Sequence, residues 1–164
     1  WLLWCCGGTL VASRAVVQLC LLMCRIHRHK LQTPAEIPAL VSRLSKRLGL
    51  KTNVRVWVVD CGIGPAVLGL MRPVILLPQC IIDGKTPKEL EPLIAHELVH
   101  VRRSDLFWAM AQTLATSIQW FNPFAWLAST ALTREAERRC DEETVRRLGI
   151  APADYDRALI DVLE

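Results

Sequence analysis

The first 24 residues leave this chain few ways to fold. Trp1 to Cys24 carry one charge, Arg14, and are otherwise mostly apolar. As a helix this stretch spans about 36 Å, enough for a hydrocarbon layer of roughly 30 Å. Arg25, Arg28 and Lys30 follow at once, with His27 and His29 among them. A basic cluster at the end of an apolar span marks the cytoplasmic side. Residues 1–24 are therefore expected to form a transmembrane helix, with a buried helix of a soluble domain as the alternative. A signal peptide fits less well, because its basic region precedes the apolar stretch and a small-residue cleavage site follows it. Arg14 is costly in lipid and calls for a partner helix or water. The chain starts at Trp1 rather than Met and reads as part of a longer protein.

A second apolar stretch, Leu106 to Leu132, has no charged residue. Asn122-Pro123 interrupts it, flanked by Trp120, Phe121, Phe124 and Trp126. Aromatic residues favour the membrane interface, and Pro123 breaks or kinks a helix. Two readings follow: a membrane helix from Leu106 to Phe121 with a turn and a second helix after it, or a buried helical hairpin in a globular domain. Hydrophobic residues make up 52% of the chain, more than an ordinary soluble domain carries. The net charge of +4 fits basic residues on a cytoplasmic face and requires no nucleic acid. Cys5, Cys6, Cys20, Cys24, Cys61, Cys80 and Cys140 form no C-x-x-C pair and are odd in number. Reduced, mostly buried thiols are expected on the cytosolic side.

Between the apolar stretches the pattern changes. Thr33-Pro34-Ala35-Glu36 reads as a capped helix start. Ile37, Leu40, Val41, Leu44 and Leu48 then give one apolar face, and Gly49 ends the helix. Val54 to Val59 reads as a strand. Ala66–Leu70 and Val74–Pro78 look like a hairpin, so a sheet of three strands is expected. Thr86-Pro87-Lys88-Glu89 repeats the capping box and starts a further helix, with Leu90, Leu93, Ile94, Leu98 and Val101 on its apolar side. That helix should end between Arg103 and Asp105.

His96-Glu97-Leu98-Val99-His100 lies on this helix. Two imidazoles four residues apart share a face and reach one metal ion, and Glu97 can lie beside water activated there. A zinc hydrolase site usually has three protein ligands and an open position. Residues 133–147 offer Glu135, Glu137, Asp141, Glu142 and Glu143 as the third. Arg134, Arg138, Arg139, Arg146 and Arg147 match these acids in number, so a salt-bridged surface helix is the competing reading. It does not account for the acid pair Glu137 and Asp141 at i, i+4 on one face.

Residues 96–105 (HELVHVRRSD), 120–126 (WFNPFAW), 137–142 (ERRCDE) and 68–78 (LGLMRPVILLP) resemble the M56 membrane peptidases, the family of the beta-lactam sensor-transducers BlaR1 and MecR1. The resemblance covers residues 1 to 150. The M48 membrane peptidases share the H-E-x-x-H … E-x-x-x-D arrangement. The resemblance implies Zn2+ held by His96, His100 and Glu137, Glu97 as general base and acid, and Asp141 behind a ligand histidine. Arg139 stands where that family usually has a small residue. Arg103 and Asp105 match its R-x-D, although helix-end chemistry and a cytoplasmic anchor explain them as well. Tyr155, Arg134 and Arg138 are open candidates for a second electrophile.

The expected fold class is α+β: a mainly helical, gluzincin-like zincin domain with a small three-stranded sheet before the motif helix, flanked by transmembrane helices. The expected organisation is a transmembrane helix at 1–24, then a cytosolic helix, sheet and motif helix at 25–105. The apolar hairpin or membrane span follows at 106–132, and the helix with the third ligand at 133–164. Residues 25–150 form one peptidase domain. The expected function is a membrane-associated zinc metalloendopeptidase acting in regulatory proteolysis. Its site faces the cytoplasm at the cell (inner) membrane, in contact with membrane lipid. Its substrate is a protein of the cytosol or membrane, such as a transcriptional repressor. The alternatives are a non-catalytic transmembrane signalling or scaffold module that keeps the zinc site, and an M48-type quality-control protease.

Overall fold

The computed structural model describes residues 1–60 and 62–163. Cys61, one of the seven thiols, lies outside them. The chain is mostly helical with one small mixed sheet. Helix α1 runs over Leu2–Arg28, followed by a two-residue strand β1, Lys30–Leu31. Helix α2 is Glu36–Arg47; β2 is Arg55–Val59, β3 Ala66–Leu68 and β4 Val74–Pro78. A short α3, Gln79–Ile82, leads to α4, Pro87–Arg103. Then come α5, Asp105–Ile118, α6, Pro123–Leu148, and α7, Pro152–Leu163.

The sheet has four strands, not three, in the order β1-β2-β4-β3. The extra strand is β1, which pairs Lys30 with Val59 and Leu31 with Val58. Two residues give no alternation to detect, so only tertiary pairing makes them a strand. β2 and β4 run parallel, and β3 and β4 form the antiparallel hairpin. All five residues of β4 are buried. Ile75 and Leu77 join the main core with α2 and α4. Val74 and Leu76 pack on the opposite face against Ile26, Leu22 and Met23 at the end of α1. The apolar helix is thus fixed to the domain through its own small core.

The apolar face read for α2 is buried. Its start is not as read, however. Ala35 is the N-cap, with no side-chain cap bond, and Thr33 lies outside the helix. The amide of Ile37 instead bonds Pro34 O at 3.1 Å, so a turn takes the place of the cap. The box at Thr86 does form: its hydroxyl accepts from Glu89 N, and Glu89 Oε2 accepts from Thr86 N at 2.6 Å. Thr86→Ala is expected to cost about 1 kcal/mol of stability, the usual worth of such a cap. Urea unfolding of the two proteins measures it.

Trp4–Arg28 is long and apolar enough to cross a membrane, with mean hydropathy 1.6, and is the one such helix among the described residues. Its surface is largely exposed, which is not how a core helix of a soluble domain sits. Gly7 and Gly8 let α1 approach the end of α5. A Cβ on Gly7 would lie 2.1 Å from the Trp120 ring, and one on Gly8 3.1 Å from Ser117 O. Trp120 Nε1 donates to Trp4 O at 3.2 Å. The 106–132 stretch folds as helix, turn, helix, but not as a buried hairpin. Phe107, Trp108, Leu114, Phe124 and Leu127 are all exposed. The expected boundary at 132 falls inside the continuous helix α6. The six described cysteines are free, but only Cys140 is buried, because four of the others lie on the exposed surface of α1.

Candidate active site

Helix α4 carries His96, Glu97 and His100 into a cleft of about 420 Å³. α6 faces it with Glu137, α5 supplies Leu106, Trp108 and Gln112, and the free edge of β3 adds Ala66 and Val67. His96 Nε2 and His100 Nε2 are 3.1 Å apart. Glu137 Oε2 stands 3.6 Å from the first and 3.5 Å from the second.

The far nitrogens fix the tautomers. His100 Nδ1–H donates to Asp105 Oδ2 at 2.8 Å. His96 Nδ1–H faces Asp141 Oδ1 at 3.0 Å and the Tyr155 hydroxyl oxygen at 2.8 Å. Tyr155 donates its own proton to Asp141 Oδ1 at 2.9 Å. Both Nε2 atoms are then lone-pair acceptors, pointed at each other and at a carboxylate oxygen. Three acceptors meet with no donor between them, and that arrangement calls for a cation. Three ligand atoms on a tetrahedral zinc, each about 2.0–2.1 Å from the metal, are separated by roughly 3.3–3.4 Å. The observed separations of 3.1, 3.5 and 3.6 Å bracket that spacing. The residues present therefore fit a zinc ion.

Cys140 Sγ also lies close to the two histidines. Its thiol donates to His96 O at 3.4 Å, and burial, reinforced by Asp105, Glu137 and Asp141, pushes its pKa well up. A protonated thiol already bonded to a carbonyl is a poor zinc ligand. Burial and the proximity of His100 lower the pKa of His96, against the pull of Asp141 and Glu137. Glu97 is 7% exposed, and burial raises its carboxyl to about 7, with His100 opposing and Glu137 adding to the shift.

This shift has a consequence for stability. The folded pKa lies above the unfolded value of 4.5, so folding favours the protonated acid. Below pH 4.5 the burial of Glu97 costs nothing through ionisation. Between pH 4.5 and 7 stability is lost progressively, by roughly 3 kcal/mol in all. Chelator-stripped wild type should therefore lose stability from pH 5 to 8 relative to equally stripped Glu97→Gln. Urea unfolding at the two pH values tests this; parallel profiles would refute it.

Other sequence candidates lie elsewhere. Tyr155 is buried behind His96 and does not line the cleft. Arg138 pairs with Glu135 and Glu142 on the exposed side of α6, and Arg139 pairs with Glu135. Arg134 is also absent from the cleft lining. Asp105 carries more than the helix-end role: it holds His100 and also accepts from Arg103 Nε at 3.3 Å. Its placement depends on Ser104, whose φ of 58° breaks α4 from α5 and turns Asp105 back towards the preceding histidine. The R-x-D spacing was the available signal.

Beside the cleft, a groove of about 580 Å³ runs between α1, α5 and α6. Arg14 and Gln18 line it together with Thr113 and Thr116, so Arg14 faces an open groove between helices, where either a partner helix or water can meet it. Gln112 and Thr133 line both cavities.

The family model for the BlaR1 peptidase M56 matches residues 1–164. Over 84 residues the chain is 33% identical to the methicillin resistance mecR1 protein of Staphylococcus aureus, and equally to that of Staphylococcus epidermidis. It is 32% identical over 84 residues to the regulatory protein BlaR1 of Bacillus licheniformis. Each match covers 51% of this chain and 14% of the relative.

Proposed function

This chain belongs to the M56 peptidase family, and from that premise we propose that it is a membrane-associated zinc metalloendopeptidase with a gluzincin-like domain over residues 25–150. The observation that carries the reading is the convergence of His96 Nε2, His100 Nε2 and Glu137 Oε2 beside the buried carboxyl of Glu97.

His96, His100 and Glu137 are the zinc ligands in this reading. When bound, zinc supplies a Lewis acid that polarises a carbonyl and acidifies water. Glu97 takes a proton from the attacking water and delivers it to the leaving amine. Asp141, with Tyr155, holds His96 in the ligating tautomer, and Asp105 does the same for His100. Each partner keeps a ring nitrogen turned into the cleft without entering the reaction. Substrate adds as a strand along the free edge of β3, whose Ala66 and Val67 line the cleft.

α1 spans the cell membrane, with the basic residues Arg25, Arg28 and Lys30 and the zinc site on the cytoplasmic side. The exposed aromatic residues of α5 and early α6 rest in lipid or at its surface. The substrate is a protein of the cytosol or membrane, such as a transcriptional repressor, and the name of one relative, regulatory protein BlaR1, supports a role in regulation. The test is a proteome comparison of cells making wild type or Glu97→Gln, with zinc measured in both purified proteins. New protein termini should appear only with wild type, while both proteins hold zinc. Identical fragments in the two cell populations would end the enzyme reading.

A further inference from the structure

At the β1–β2 edge of the sheet, opposite the β3 edge that borders the zinc cleft, lies a larger cavity of about 720 Å³. Lys30 of β1, Lys46 of α2, Lys51 of the following loop and Arg55 of β2 line it, and no acidic residue does. None of these four cations forms an ion pair among the described residues. Four unmatched charges around one cavity repel one another, and an anion bound among them relieves that repulsion. Thr33, Ser42, Thr52 and Asn53 add neutral donors to the same wall. Ser45 lines it too; it is 9% exposed and its Oγ has no hydrogen-bond partner. A buried hydroxyl is rarely left in that state.

The position of the cavity narrows the choice of anion. Trp57 forms part of the wall, with Lys30 Nζ 4.2 Å and Arg55 Cζ 5.8 Å from its ring centroid. The same ring meets His27, in the last turn of α1, edge-on at 5.8 Å. With α1 across the membrane, this level is the cytoplasmic headgroup layer, where tryptophan and basic residues concentrate. We propose that this cavity binds the phosphate-bearing headgroup of an anionic membrane lipid. Lysines and arginine supply the charge, the hydroxyl and amide donors bond the phosphate oxygens, and Trp57 borders the acyl region. The proposal rests on the membrane placement of α1 and is independent of the zinc chemistry.

The full chain in detergent is titrated with short-chain phosphatidylglycerol, short-chain phosphatidylcholine and inorganic phosphate, and binding is read by thermal shift. Phosphatidylglycerol should bind most tightly. Lys46→Gln/Lys51→Gln/Arg55→Gln should weaken it by about fivefold per charge, from about 1 kcal/mol per cation near an anionic surface. The charge-matched variant Arg72→Gln/Lys88→Gln/Arg157→Gln, with its changes outside the cavity, should hold phosphatidylglycerol as wild type does. Equal losses in the two triple variants would reduce the effect to net charge and overturn the proposal. Inorganic phosphate binding as tightly as phosphatidylglycerol would overturn the lipid assignment in favour of a free anion. Retention of the chain in alkali-washed phosphatidylcholine vesicles reports the membrane placement separately.

Discussion

Glu97→Gln is expected to lower kcat for peptide-bond hydrolysis by about 10²–10⁴-fold, the usual contribution of a positioned acid–base group. Glutamine keeps the size and the hydrogen-bonding edge of the side chain but accepts no proton. The loss should fall on kcat rather than KM, because Glu97 is buried and offers substrate little surface. Zinc affinity should stay close to that of wild type. The three atoms that converge belong to His96, His100 and Glu137, and the far nitrogens of both histidines are held by Asp105, Asp141 and Tyr155. A quenched-peptide assay with zinc-loaded proteins measures kcat and KM together. A kcat within tenfold of wild type would show that another group moves the proton.

Elements whose signals are local could be read from the sequence. The motif helix is one: its capping box, apolar face and end near Arg103 are all encoded within about twenty residues, and the structure has each of them. β4 is another, since five consecutive apolar residues bounded by Pro73 and Gln79 suit a strand buried on both faces. Strand β1 lay beyond such reading, because Lys30 and Leu31 become a strand only by pairing with β2. The cap expected at Thr33 failed although its tetrapeptide matches the box pattern as Thr86 does. The chain turns at Pro34 and enters α2 two residues later.

The downstream acids show where spacing stops being informative. Five carboxylates competed for one role, and a salt-bridged surface competed with all of them. The structure divides the two readings between faces of α6. Glu135, Glu142 and Glu143 are engaged by Arg138, Arg139, Arg102 and Arg147. Glu137 and Asp141 are the two that face His96. A helical wheel puts both on one face, but only the packing of α6 on α4 decides which face meets the histidines. Asp105 was marked by the R-x-D spacing, but its bond to His100 was not legible. Its use depends on a left-handed serine, which sequence pattern does not announce.

Exchanging the two neighbours that compete as third ligand should have opposite effects. Glu137→Ala is expected to weaken zinc binding by more than about 100-fold, since loss of a mere supporting partner already costs about 10–100-fold. Cys140→Ala is expected to leave zinc affinity within a few-fold and to lower stability instead. Cys140 is fully buried in the main core, and its thiol bonds the carbonyl of His96. Ligation would require the thiolate, and burial beside Asp105, Glu137 and Asp141 opposes that charge. Glu137 has the reverse character. It is about half exposed, and its oxygen sits 3.5–3.6 Å from both Nε2 atoms. Competition with a chromophoric chelator gives the affinities, and urea unfolding of the stripped proteins gives the stabilities. If Cys140→Ala released zinc and Glu137→Ala did not, the ligand set would be His96, His100 and Cys140. The Glu137 carboxylate would then be free for substrate, and the resemblance to a two-histidine, one-glutamate site would fail at its third member.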